Sequence, residues 1–194
     1  LVAVLGIVTA VGSMISMALC PLLIKKLNER NAYILLSVYG FAASVFSFVI
    51  GHFWFQSPKN MVLTVLFYAS LFLIGLQFGA VTLMPMIMTA DTVDYYEHET
   101  GKRMEGACYS ILTLTIKVCL ALGTAVGLIF VQKSGYYESL SAGTFTTKTK
   151  DIIFFAYTAL PGILALLSIV PMFKYDIVGK KKAKISSDLA SRRK

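Results

Sequence analysis

Four stretches of this chain, 1–24, 31–58, 60–90 and 152–173, contain no Asp, Glu, Lys or Arg at all. An α-helix needs about 20 apolar residues to cross the roughly 30 Å hydrocarbon core of a bilayer, and each stretch is long enough. A fifth, 106–132, is interrupted only by Lys117. Hydrophobic residues make up 57% of the chain and charged residues 14%, against about 45–50% and about 25% in soluble domains. Lipid offers no partner to a free backbone N–H or C=O, so each span must satisfy its backbone internally, as a helix. The period-two alternation of a β-barrel strand is missing from all five segments. The fold class read from this pattern is an all-α membrane protein. One helical bundle covers 1–174, with five transmembrane helices at about 1–24, 32–55, 61–90, 107–132 and 152–173, followed by a basic tail over 175–194.

Orientation follows from where Lys and Arg gather. Thirteen of them (Lys25, Lys26, Arg30, Lys102, Arg103, Lys174 and seven in the tail) belong to one side of such a bundle, and four (Lys59, Lys133, Lys148, Lys150) to the other. The positive-inside rule makes the basic side, and with it the C-terminus, cytoplasmic in a cell membrane. Five spans then put residue 1 outside. The opening LVAVLGIVTA has neither Met nor a basic segment ahead of its apolar run, so it is no signal peptide. The expectation is the C-terminal part of a longer protein.

The connections are short. The external loop 133–150, rich in Gly, Ser and Thr, is expected to be solvated, and the tail 179–194 to be disordered. Cys20, Cys108 and Cys119 fall within spans and read as packing residues, with no metal spacing among them. The net charge of +8 sits mostly in the tail and implies attraction to anionic lipid, not nucleic acid, for which no module is present. GLQFG (Gly75, Gly79) and GTAVG (Gly123, Gly127) are GxxxG patterns that let helix backbones approach. Enzyme motifs are missing: the chain has two histidines, and HExxH, CxxC and GxSxG do not occur. No cofactor is expected.

Two features resist a purely structural reading. Lys117 lies about 16 Å into its helix at ~1.5 Å per residue, where a lysine costs at least about 2.5–3.5 kcal/mol. It must face the protein interior or a water-filled cavity, opposite an acid or a polar ligand, and no span of this chain holds an acid at that depth. Tyr109, Thr113 and Thr124 recur beside it at helical spacing. The second feature is that five of the ten acidic residues, Asp91, Asp94, Glu97, Glu99 and Glu105, fall within fifteen positions at the inner end of the third span. A helix C-terminus disfavours negative charge, so cations must oppose them. Lys102 and Arg103 can oppose some, and basic loops elsewhere the rest. Such a set is either a salt-bridge latch that opens and closes or a solvated loop.

The run ADTVDYYEHETGKRMEGACYS, with Lys117 twelve residues after Glu105, resembles the signature of the glycoside–pentoside–hexuronide:cation symporters, a family of the major facilitator superfamily. The anchors are Ala90, Asp91, Val93, Asp94, Tyr95, Glu97, Arg103, Glu105, Tyr109, Ser110, Thr113 and Lys117. The order of spans matches helices eight to twelve of twelve. The resemblance implies that Lys117 lies near the cation and sugar sites, with Thr113 in the sugar pocket one turn away. It implies that Asp91, Asp94 and Arg103 belong to the charged network that seals the cytoplasmic side. Thr82 and Leu112 stand where the family's melibiose carrier has tryptophan and glutamine, so a galactoside preference does not carry over. The stretch PLLIKKLNERNAY (21–33) resembles the superfamily's basic loop motif only through Glu29 and Arg30.

The function expected on these grounds is cation-coupled symport of a sugar or glycoside by alternating access, with Na+ or H+ as the coupling ion. That ion would be held mainly by an N-terminal half of the same transporter. Lys117, Thr113, Tyr109, Thr82 and Gln77 are the candidate substrate and coupling residues. Asp91, Asp94, Glu97, Arg103 and Glu105 form the candidate cytoplasmic gate. The rivals are a lipid or drug carrier of the same superfamily and a non-transporting membrane sensor or scaffold.

Overall fold

A computed structural model describes residues 2–192, with side chains from residue 6 onward. Leu1, where the first expected span begins, and the tail residues Arg193 and Lys194 lie outside the described residues. Eight helices follow one another: α1 (Val2–Gln56), α2 (Met61–Thr100), α3 (Glu105–Lys133), α4 (Tyr136–Ser141), α5 (Thr147–Tyr157), α6 (Ala159–Leu167), α7 (Ile169–Met172) and α8 (Gly179–Arg192). Four described stretches are long and apolar enough to cross a membrane: Gly6–Gln56, Met61–Thr100, Glu105–Lys133 and Thr147–Met172. The sequence predicted five spans, and the difference lies at Asn28.

Asn28 has φ 63 and ψ 161, a non-helical conformation inside α1. Unbroken, a helix of 55 residues would be about 80 Å long at ~1.5 Å per residue. Instead the chain doubles back. Cys20 before the bend and Ala32 after it pack in one cluster with Ala80 and Met84 of α2. In the first arm, 2–27, Gly12 lies against Gly75 and Ser13 against Gly79, so this arm runs parallel to α2. In the second arm, 29–56, Gly40 meets Gln77 and Ser47 donates to Ser70 at 2.7 Å, so this arm runs antiparallel to it. The two arms are the first two expected spans, joined by a one-residue reversal in place of the expected loop.

The bend carries strain. Asparagine tolerates positive φ better than most residues, but ψ near 160° belongs to a region almost reserved for glycine, at about 1–3 kcal/mol for other residues. Asn28→Gly is therefore expected to raise the thermal midpoint of the purified full-length protein, and Asn28→Val to lower it. Equal midpoints in the two variants would show that the bend is relaxed.

The seam between the first arm and α2 is close because its residues are small. A Cβ on Gly12 would lie 2.6 Å from the Phe72 carbonyl oxygen, one on Gly75 3.0 Å from Thr9 Cα, and one on Gly79 2.8 Å from the Ser13 carbonyl carbon. The GLQFG pattern is thus a packing surface. Gly123 and Gly127 of GTAVG have no neighbour within 4 Å of an added Cβ, so that pattern is unused among the described residues.

Proline explains why the last span is broken. Its ring clashes with the carbonyl four residues earlier and it has no N–H to donate. Four residues before Pro161 is Tyr157, where α5 ends, and four before Pro171 is Leu167, where α6 ends. Near the α1–α2 connection an aromatic cluster ties three helices together. Trp54 stacks on Phe67 at 4.5 Å and donates to Thr64 at 3.0 Å, and Phe154 of α5 meets Phe55 edge-on at 5.4 Å.

Two connections differ from expectation. The loop 133–150 is not simply solvated: it contains α4, and Ser134, Ser139 and Thr149 are buried, with Thr149 donating to the Ser134 carbonyl at 2.9 Å. The tail is a helix rather than disordered, because Ile185 and Leu189, one turn apart, bury with Ile177 against Tyr95 and Tyr175. Its sparse apolar residues suffice because α2 presents a surface to receive them.

Candidate functional site

Helix α3 has no buried residue. Along one side Gly106, Tyr109, Ser110, Thr113, Leu114 and Lys117 line an open groove of about 530 Å³. Steps of three and four residues put these side chains on one helical face. The Thr113 hydroxyl donates back to the Tyr109 carbonyl at 2.8 Å, which commits its proton and leaves its oxygen able to accept. Glu105 in the first turn suits the positive end of the helix. Lys117 is exposed and pairs with no carboxylate among the described residues. The described residues therefore offer it polar neighbours but no opposing acid.

Of the predicted substrate residues, the groove gathers Tyr109, Thr113 and Lys117. Gln77 and Thr82 are elsewhere. Gln77, 5% exposed, is wedged between α2 and the second arm of α1, where a Cβ on Gly40 would lie 2.5 Å from its Cγ. Thr82 is exposed on α2, and its hydroxyl donates to the Phe78 carbonyl at 2.7 Å. Hydropathy gave depth along the membrane for these two but not the direction they face.

The acidic cluster is also more ordered than the sequence implied. Helix α2 continues to Thr100 and stops at Gly101, whose φ of 71 forms a left-handed cap that bonds back to the Glu97 carbonyl. Asp91 to Glu99 therefore lie on helix, and the connection to α3 is only 101–104. The acids separate into two networks. Arg103 joins Asp94 at 3.1 Å and Glu97 at 2.6 Å, and also pairs with Glu105, bridging α2 to α3. Arg103, Asp94 and Glu105 are partly open to solvent while Glu97 is mostly covered, so solvent screens much of the attraction in this network.

The second network is buried and was not foreseen. Glu29 at the α1 bend is 5% exposed and Asp91 is 8% exposed. The Lys182 ammonium of α8 sits between them, 2.5 Å from Glu29 Oε1 and 2.7 Å from Asp91 Oδ1. Burial alone would lower the Lys182 pKa, but the bonds to Asp91 and Glu29 outweigh it and hold the ammonium above the ordinary lysine range. The Tyr175 phenol, raised by burial and by the Asp91 and Glu29 carboxylates, stays protonated and donates to Asp91 at 3.4 Å. Nearby, His98 Nε2 lies 3.1 Å from Asp188 Oδ2, and Arg192 donates to the His98 carbonyl at 3.1 Å. Sequence reasoning passed over Lys182, Tyr175 and Asp188. The signal that could have found them is the i, i+4 pair Ile185 and Leu189 in an otherwise polar tail, which marks an amphipathic helix.

Among the described residues no three His, Cys, Asp or Glu are gathered as a metal ion would need. The arrangement is thus an open polar stripe on one apolar helix, with a charged assembly at the basic end of the bundle.

The family model described as MFS/sugar transport protein matches residues 1–179. The chain belongs to that family. It is 25% identical to a glucuronide carrier protein homolog of Escherichia coli (strain K12), over 95% of this chain and 38% of the relative. It is 31% identical to the inner membrane symporter YicJ of the same strain, over 66% of this chain and 27% of the relative. An uncharacterized 29.9 kDa protein in the crtE 3' region of Pseudescherichia vulneris is 29% identical over 72% of this chain and 49% of its own length. The chain therefore spans about half or less of the curated relatives it matches. No solved structure matches it. The family and the apolar helices make this a multi-pass membrane protein with a major-facilitator-type helical bundle, and the relatives named for an activity are carriers and symporters, not enzymes.

Proposed function

We propose that this bundle is part of a cation-coupled symporter that moves a sugar or glycoside by alternating access, with Na+ or H+ as the coupling ion. The observation that carries the reading is Lys117, in the middle of an apolar spanning helix and without a carboxylate partner among the described residues, on one open face with Thr113 and Tyr109. A charge at that depth needs a ligand, a coupling ion's site or an acid from another part of the transporter, and a polyhydroxylated substrate supplies such contacts. The family and the names of its relatives point the same way. The basic end of the bundle is then cytoplasmic in a plasma or inner membrane by the positive-inside rule. Asp91, Asp94, Glu97, Arg103 and Glu105 serve as its gate.

Thr113 tests the substrate. Its hydroxyl oxygen can accept from a sugar hydroxyl, so Thr113→Val is expected to weaken binding by about 1–3 kcal/mol. Equilibrium binding of glycosides, pentosides and hexuronides to purified full-length protein measures it. If no sugar bound while lysolipids did, the lipid-carrier reading would replace this one.

A further inference from the structure

Polar contacts tie the C-terminal helix to the bundle: His98 with Asp188, Arg192 with the His98 carbonyl, and Lys182, which of these reaches two enclosed carboxylates. Its apolar contact is small, with Ile177, Ile185 and Leu189 the buried members. The fit is loose as well, since a cavity of about 70 Å³ remains among Asp91, Asp94, Ile177, Lys182, Ile185 and Ser186. Between the α1 arms and α2, by contrast, glycines bring backbone against backbone. The Lys182 side chain is 37% exposed, whereas the carboxylates it joins are nearly enclosed. Those carboxylates belong to two separate elements, the bend of α1 and the end of α2, and Lys182 is the cation placed between them. If Lys182 withdrew, two like charges would share one enclosed site unless another cation replaced it or one carboxylate took up a proton. Asp91 is also one of the residues assigned above to the gate. A cation from elsewhere in the transporter that pairs with Asp91 must first displace the tail.

We propose that α8 is an autoinhibitory strap: Lys182 serves as the counter-ion of Glu29 and Asp91 in one transport state and is displaced when a cation from another part of the full-length transporter takes its place. This rests on the alternating-access reading. Glu29 at the α1 bend and Gly179 at the start of α8 support the geometry, because a Cβ on Gly179 would lie 3.9 Å from Asn28 Oδ1, putting the strap directly over the bend.

The experiment uses full-length protein with its native cysteines replaced by serine and Ile185→Cys introduced as the reporter. A membrane-impermeant maleimide is applied to vesicles that expose the basic end. Lys182→Gln is expected to raise the labelling rate about tenfold, equivalent to about 1.4 kcal/mol, while Lys182→Arg keeps the cysteine protected. In parallel, Lys182→Gln is expected to raise the initial rate of glucuronide uptake about twofold or more, because the gate no longer competes with the tail, at a coupling cost within the usual few-fold range. Labelling unchanged by Lys182→Gln, or raised equally by Lys182→Arg, would overturn the strap. Raised labelling with uptake unchanged or lowered would make α8 a structural prop and overturn autoinhibition. The labelling arm needs no substrate, so wild-type protein that carries no sugar would count against the transport reading alone.

Discussion

Full-length protein carrying Lys117→Leu should insert into the membrane as well as the wild type and yet lose most of its gradient-driven accumulation of substrate. Insertion is expected to improve, because removing a lysine from the middle of a span and adding leucine gains about 3 kcal/mol. Accumulation is expected to fall about 5–150-fold, the range that corresponds to a coupling free energy of about 1–3 kcal/mol. The two effects have opposite signs, which separates a functional lysine from one retained for assembly. Lys117 lies beside Thr113 and Tyr109 on the open face of α3, without a carboxylate partner among the described residues. Its removal therefore strips no internal ion pair from this bundle. Uptake into vesicles under an imposed Na+ or H+ gradient measures the result, with membrane-inserted protein quantified in the same preparation. Accumulation at the wild-type level would remove Lys117 from the coupling machinery.

Gly79→Leu is expected to damage the fold itself. The glycine sits where α2 meets the first arm of α1, and even a methyl group would lie 2.8 Å from the Ser13 carbonyl carbon and 2.9 Å from its Cα. The obstruction is main chain, which cannot rotate aside as a side-chain tip can. Overpacking in cores usually costs about 1–3 kcal/mol, and a leucine pressed on backbone belongs at or above the upper end. The seam would have to open along Gly12, Gly75 and Gly79 together. A fall in the thermal midpoint of the purified full-length protein, with loss of monodisperse material in detergent, is the expected readout. Gly79→Ala should fall between the two. A wild-type midpoint for Gly79→Leu would mean that the arms pack differently from the arrangement described.

Hydropathy alone placed the spanning segments, because lipid enforces one requirement on every residue of a span. The charge-free run 60–90 and the run 106–132, interrupted only by Lys117, correspond to α2 and α3, and the break in the last span coincides with prolines visible in the sequence. Lys117, Thr113 and Tyr109 shared a face on paper because a single helix contains all three, and local periodicity settles such a relation. The same reasoning could not orient Gln77 and Thr82. Both were placed by depth, but the face each presents depends on how α2 rotates against α1. That rotation is decided by where glycines let backbones touch.

The remaining differences have the same origin. A bend at Asn28 in place of a loop depends on a single backbone conformation, which composition does not express. The tail appeared too polar to fold, and on its own 14 residues of such a sequence would make a marginal helix. It folds because Tyr95, Glu29 and Asp91, far away in sequence, together form an apolar patch and an enclosed pair of carboxylates that suit Ile185, Leu189 and Lys182. Residue types and their order were enough to establish a bundle of membrane-spanning helices, with a charge midway along one of them and an acidic cluster at the basic end, since each of these follows from the cost of placing single residues in lipid. Which carboxylate meets which cation was decided only by the tertiary structure, because an ion pair between α8 and the bend of α1 depends on the arms and α2 bringing together residues more than a hundred positions apart.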